Sequence, residues 1–207
     1  MTQPFLTALW QHLVIVCTAV GIAACIAVPL GVVVSDHPRV AGAILFVDGV
    51  VMTIPSVALY GLLMPVLALV GKGIGTVPAV IAMILYSQLP MLRNTVAGIR
   101  NVDRSVIDAA RGIGMGKWRI LATVSLPLAF PVIMAGIRSS FVMGVGVTAI
   151  AAYIGAGGLG MYIMLGIANS NRDLIVTGAL ATTFLALLAD LLLGRLQRVL
   201  ERRMGKG

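Results

Sequence analysis

Charge is what this chain has least of. Only 11% of its 207 residues are Asp, Glu, Lys or Arg, while 59% are hydrophobic. A soluble domain of this size carries about a quarter of its residues charged. The shortage excludes a separate soluble domain and points to one membrane domain over residues 1–207. Acids are scarcer than bases, 7 against 15, leaving a net charge of +8. Histidine is nearly absent: His12 and His37 stand alone, neither with a second ligand at metal spacing, so no metal site is expected. The two cysteines, Cys17 and Cys25, lie in one apolar stretch. Eight residues of helix separate them by about 12 Å, beyond disulfide reach, and they read as buried apolar thiols. Catalytic signatures are missing as well. Gly71-Lys72-Gly73 lacks the spacing of a phosphate loop, and no G-x-S-x-G elbow accompanies a histidine base. An enzyme is not expected, nor a cofactor held by this chain.

What is present in their place is long apolar runs. Leu13–Val34 is enough to cross a bilayer core. Ile22-Ala23-Ala24-Cys25 looks like a lipoprotein cleavage box, but no Lys or Arg precedes it, as a signal peptide requires; the segment reads as an uncleaved first span. Further spans fall at about 41–70, 77–97, 127–152 and 174–194. The second is interrupted by Asp48, Pro55 and Pro65, and prolines in membrane helices often mark bends lining a path. The fold class is therefore all-α and polytopic, with five transmembrane helices. Lys and Arg fall unevenly around these spans. One side holds Arg39, then Arg93, Arg100, Arg104, Arg111, Lys117 and Arg119, then Arg195, Arg198, Arg202, Arg203 and Lys206. The other holds Lys72 and Arg172, with Arg138 inside the membrane. The richer side is expected to be cytoplasmic, which puts the amino terminus outside and the carboxyl terminus inside. It also accounts for the basic balance without nucleic acid as a partner.

The longest polar island runs from Val102 to Pro131. It reads as a short helix, a glycine break and a second short helix, closed by a Leu-Pro step. Asp103 or Ser105 can accept a bond from a free helix-start N–H, and Ser105 with Asp108 is a capping-box-like pair. Ala109 and Ala110 leave one face nearly bare for close approach by another protein. Gly112 and Gly114 supply freedom to turn, and Pro127 suits the first turn of a new helix. The series Asp108-Ala109-Ala110, three residues, Gly114, nine residues, Val124, one residue, Leu126-Pro127 resembles the cytoplasmic coupling loop of ABC-importer permeases. There Glu stands at the position of Asp108 and Ile at that of Val124. Three further stretches are similar to the osmoprotectant subgroup of these permeases: Thr53-Ile54-Pro55-Ser56-Val57-Ala58-Leu59, Leu126-Pro127-Leu128-Ala129-Phe130-Pro131 with Ala135-Gly136-Ile137-Arg138, and Ile154-Gly155-Ala156-Gly157-Gly158-Leu159-Gly160.

The resemblance implies a type I importer permease for glycine betaine, choline or carnitine in the bacterial inner membrane. Its coupling loop, 102–126, would present Ser105, Asp108, Ala109, Ala110, Arg111, Gly112, Gly114, Met115, Leu126 and Pro127 to an ATPase. Implied partners are two ATPase subunits carrying ATP and Mg, a second permease subunit (identical or homologous), an extracytoplasmic binding protein and the lipid bilayer. A permease for methionine or another amino acid is the nearer alternative, an ATP-independent secondary transporter or channel the farther one. Gly155, Gly157 and Gly160 match a dinucleotide fingerprint, but one that follows a membrane span has no strand before it; the segment reads as a tight turn at the outer mouth. Asp48, Arg138 and Asp190 are costly in a membrane unless paired or wet, and Arg138 is expected to pair with Asp48 or Asp190. Pro55, Tyr60, Tyr86 and Tyr153 are candidates for the pathway, the tyrosines as faces for a quaternary ammonium or as interface anchors.

Overall fold

A computed structural model describes residues 4–203, with the Arg203 side chain left aside. The expectations for Lys206 and for the two chain ends lie outside the described residues. The chain is all helix in its regular parts. Helix α1 (Phe5–Val34) carries a stripe of small buried residues: Ala8, Ala19, Ala23, Ala27 and Gly31. Small side chains at three- and four-residue spacing let membrane helices approach closely, and here α1 packs on α4 (Thr76–Arg100) and α7 (Leu126–Ile150). A Cβ at Gly31 would lie 2.7 Å from Thr95 Cβ of α4. The same device joins α4 to α7, where a Cβ at Gly136 would lie 2.8 Å from the Pro90 carbonyl oxygen. The thiols of Cys17 and Cys25 are free and exposed on the opposite face of α1, contrary to the buried reading. Apolar residues in a membrane helix have no need to turn inward, so hydrophobicity alone could not assign their side.

Pro38 opens α2 (Pro38–Thr53) at its first turn, where a missing N–H costs nothing. The expected second span is not one helix. It breaks at Ile54–Pro55 and continues as α3 (Ser56–Ala68), bent by 99° from α2. The Tyr86 hydroxyl of α4 donates to the Ile54 carbonyl, satisfying a backbone group left open by the break. Among the described residues four unbroken helical stretches are long and apolar enough to cross a bilayer, or five if the bent pair is counted as one span.

The polar island also differs in detail. Helix α5 (Arg104–Gly112) is followed by the short α6 (Lys117–Ile120). Then the chain runs without a break through a π turn, Leu121–Ser125, into α7. Pro127 therefore sits inside a continuous helix. The widened turn before it accommodates a ring that would crowd the carbonyl one turn earlier. At the far end of α7 a 3-10 turn (Ala151–Ile154) leads to a glycine loop, then a short apolar helix α8 (Gly160–Ala168) that lies between the fourth and fifth expected spans. The last helix, α9 (Arg172–Arg203), packs on α8 and α7.

Candidate functional site

The basic end of the molecule is built from α5, α6 and the ends of α1 and α4. Asp103 is the residue that caps α5: Ser105 N–H donates to its Oδ1 at 2.8 Å, and that bond holds the Asp103 carboxyl below the ordinary carboxylate range. Ser105 lies inside the helix, so the Ser105–Asp108 box is not formed. Asp108 instead faces Arg111 at 3.3 Å, both well exposed. Such a pair adds little stability in water.

The helix ends as a Schellman motif. Gly114 N–H donates to the Arg111 carbonyl at 2.8 Å and Met115 N–H to the Ala110 carbonyl at 3.1 Å. Gly114 takes φ +84°, a conformation that strains any residue with a Cβ. Gly112 is an ordinary helical residue with open space around it, so the turn belongs to Gly114 alone.

Ala109 and Ala110 do not share a face. Ala110 is 6% exposed and anchors α5 to the body of the protein. Ala109 is exposed and aligns with Val106 and Ile113 at i, i+3 and i+7 into an outward apolar stripe. Ile113 and Trp118 are 80% and 78% exposed, two large apolar side chains amid Arg111, Lys117 and Arg119. Neither was singled out from sequence, although a tryptophan flanked by two cations in a polar island was a usable signal. Lys117 Nζ contacts Asp36 at 2.8 Å, and Arg100 Nε donates to the Ser35 carbonyl at 2.8 Å. These bonds tie the α1–α2 loop to α4 and α6 around a cleft of about 540 Å³ that Met115 and Trp118 help to line. Leu126 and Pro127 are half-buried where the helix enters the body. The whole is a knob with an apolar stripe, a cationic rim and an adjacent cleft, a surface chemistry suited to receive another protein.

Of the charges within the spans, Arg138 pairs with Asp190: Nε and Nη2 reach Oδ1 at 3.0 and 2.8 Å. Asp48 is not brought to them. It is half-buried on α2 and makes no ion pair among the described residues. Tyr60 is 1% exposed and donates to the Val147 carbonyl at 3.0 Å; Tyr86 is likewise buried and spent on Ile54. Only Tyr153, 57% exposed, leaves its ring open. Pro55 marks the 99° bend.

At the opposite end, Gly155, Gly157 and Gly158 all take positive φ. Gly158 N–H donates to Gln11 Oε1 at 3.1 Å and Leu159 N–H to His12 Nδ1 at 3.3 Å. That fixes the neutral His12 with its proton on Nε2, which faces the Val145 carbonyl at 3.1 Å. Gly75 N–H closes the third side on the Ile154 carbonyl at 2.8 Å. This loop holds no nucleotide geometry, since a helix and a 3-10 turn precede it where a strand would have to stand. No group of three metal-ligating side chains occurs among the described residues.

A polytopic helical membrane protein with a cation-rimmed, apolar-striped knob at one end is the class these features define. Residues 12–206 match the binding-protein-dependent transport system inner membrane component family, and the chain belongs to it. It is 48% identical over 191 residues to the osmoprotectant import permease protein OsmW of Salmonella typhimurium, covering 92% of this chain and 89% of that protein. It is 43% identical over 188 residues to the carnitine transport permease protein OpuCB of Listeria monocytogenes, covering 91% and 84%. In fold it resembles a chain of the MetNI methionine ABC transporter in inward-facing form, with a TM-score of 0.83 at 22% identity over 96% of this chain and 99% of that one. The protein is thus the multi-pass membrane subunit of an ABC importer, a transport component rather than an enzyme, working with a binding protein and a separate ATPase.

Proposed function

We propose that this chain forms, with a second permease subunit that is identical or homologous, the pathway of an ATP-driven importer of quaternary-ammonium osmoprotectants such as carnitine, glycine betaine and choline. The observation that carries the substrate class is the likeness, over nine-tenths of the chain, to permeases named for osmoprotectant and carnitine transport. The methionine alternative has only a fold likeness behind it. The excess of Lys and Arg at one end supports a cytoplasmic position for α5, α6 and the end of α9. On this reading two ATPase subunits, which carry ATP and Mg, seat against the stripe Val106, Ala109 and Ile113. Their closure moves α5. The Schellman turn at Gly114 keeps α5 rigid on α6, and the unbroken helix from Lys117 carries the displacement into α7. The glycine loop lies on the outer side, where a binding protein delivers substrate.

Uptake into proteoliposomes of the purified assembly tests the proposal. Labelled carnitine or glycine betaine should accumulate only with the binding protein outside and ATP inside, and unlabelled methionine should not compete. Competition by methionine would reassign the substrate. Accumulation driven by an ion gradient with no ATP would overturn the coupling.

A further inference from the structure

We propose that the cleft between α7 and α9 near the basic end is a binding site for the phosphate of an anionic phospholipid. The cleft, about 300 Å³, is lined by Arg138, Asp190, Leu191, Gly194, Gln197 and Arg198. Arg138 reaches it across the backbone of α9 because position 194 is glycine: a Cβ there would lie 3.1 Å from the guanidinium carbon. Its Nε and Nη2 go to Asp190 Oδ1, and its Nη1 to Gln197 Oε1 at 3.3 Å. A guanidinium has five N–H donors, so two remain without a partner among the described residues. Arg198 folds back over the same spot, its Nε donating to the Gly194 carbonyl at 3.3 Å. Two cations therefore share one cleft with one carboxylate.

The surroundings add to the imbalance. Arg195 and Arg202 stand three residues before and four after Arg198 on the same face of α9, both exposed. Glu201 is already engaged by the Gln197 amide at 2.8 Å. Along that face toward the middle of the helix come Leu191, Leu187 and Phe184, all exposed. Apolar residues give way to arginines within one turn, the order a lipid presents from acyl chain to headgroup. A phosphodiester carries one negative charge and two unesterified oxygens that can accept the free N–H groups of Arg138 and Arg198. A free phosphate would use the arginines but leave the apolar stripe unused, so the lipid is the occupant that fits both.

The test is native mass spectrometry of the tagged chain, purified with its co-extracting subunits in neutral detergent and supplemented with short-chain phosphatidylglycerol or phosphatidylcholine. Wild type should retain phosphatidylglycerol over phosphatidylcholine. Arg198→Gln, which leaves the Arg138–Asp190 pair intact, should cut that retention to about one fifth, the effect of one surface arginine on anionic lipid. Arg172→Gln, at the opposite end, should change nothing. Equal retention by wild type and Arg198→Gln overturns the site, and so does displacement of the lipid by equimolar inorganic phosphate, which would mark a soluble-anion site. A photo-crosslinking residue at Leu191 gives an independent reading in native membranes. Capture of phospholipid supports the proposal, and capture of a protein subunit in its place overturns it.

Discussion

At the basic end the chain turns at Gly114 and leaves Ile113 and Trp118 about four-fifths exposed; at the opposite end it turns at Gly155, Gly157 and Gly158 and buries Leu159 completely. Both turns depend on left-handed glycines, yet their surroundings differ in kind. The first is closed by its own backbone bonds, Gly114 N–H to Arg111 and Met115 N–H to Ala110, and flanked by the exposed ion pairs of Asp108 with Arg111 and Asp36 with Lys117. The second is held by the Gln11 and His12 side chains of α1, with His12 fully buried. The basic end keeps its large apolar groups outward and its framework wet, as a surface open to a partner does. A surface that closes the fold turns them inward and meets backbone N–H groups, here those of Gly158 and Leu159, from within.

The largest effect should come from a methyl group added at the closed end. A Cβ at Gly160 would run into the Ala149 carbonyl, so Gly160→Ala should cost about 1–3 kcal/mol and sharply reduce monodisperse protein extracted in detergent. Gly112→Ala at the open end meets nothing and should be neutral or stabilising by about 1 kcal/mol. Equal damage by both would erase the distinction between the two ends. Next come the paired alanines. Ala109→Glu should leave extraction unchanged but abolish co-purification of an ATPase and lower uptake at least about ten-fold, the scale of a lost interface contact of 1.4 kcal/mol. Ala110→Glu should instead reduce extractable protein, because it buries a carboxylate beneath α5.

A smaller change is expected from Gln11→Ala. It removes one hydrogen bond, worth about 1 kcal/mol, and should speed amide exchange at Gly158 about five-fold while the amides of α5 stay as they were. The smallest concerns Asp103. Its carboxyl is held below the ordinary range by the Ser105 N–H, so its capping contribution is present above the unfolded carboxylate value and is lost as pH falls through the lowered folded one. The protection factor at Ser105, exchange measured against its intrinsic rate at each pH, should therefore fall as the medium is acidified below that range. Asp103→Asn, which accepts the bond without titrating, should flatten the profile.

Much of the site was legible before any coordinates. The interval from Asp108 to Pro127 marked the knob, and Gly112 and Gly114 could both be named because a helix that must stop in a left-handed residue calls for glycine; only the backbone gives the turn to Gly114 alone. The division of Ala109 from Ala110 was not legible. Two small residues in a nine-residue helix carry no periodicity strong enough to say which one faces inward, and only the packing of α5 over its cleft separates them. The bend at Pro55 was foreseeable as a weak point, but its 99° depends on Tyr86 arriving from α4 to take up the Ile54 carbonyl. Arg138 had two eligible acids. Asp190 won because Gly194 opens a gap one turn away on α9, whereas nothing in the sequence relates the α7 face to α2.

By itself, then, the order of residues determined the solvent, the all-helical polytopic class and the place of the polar helix–turn–helix. Those follow from hydropathy, from spacing along the chain and from residues with special backbone needs, all local properties. Only the tertiary structure decided which faces of α1, α5 and α9 turn inward, which acid meets Arg138 and how the glycine loop is pinned. Apolar helices in a membrane gain little from burying one side over another, so their orientation is settled by close contacts between small residues and by a few hydrogen bonds reached across the whole fold.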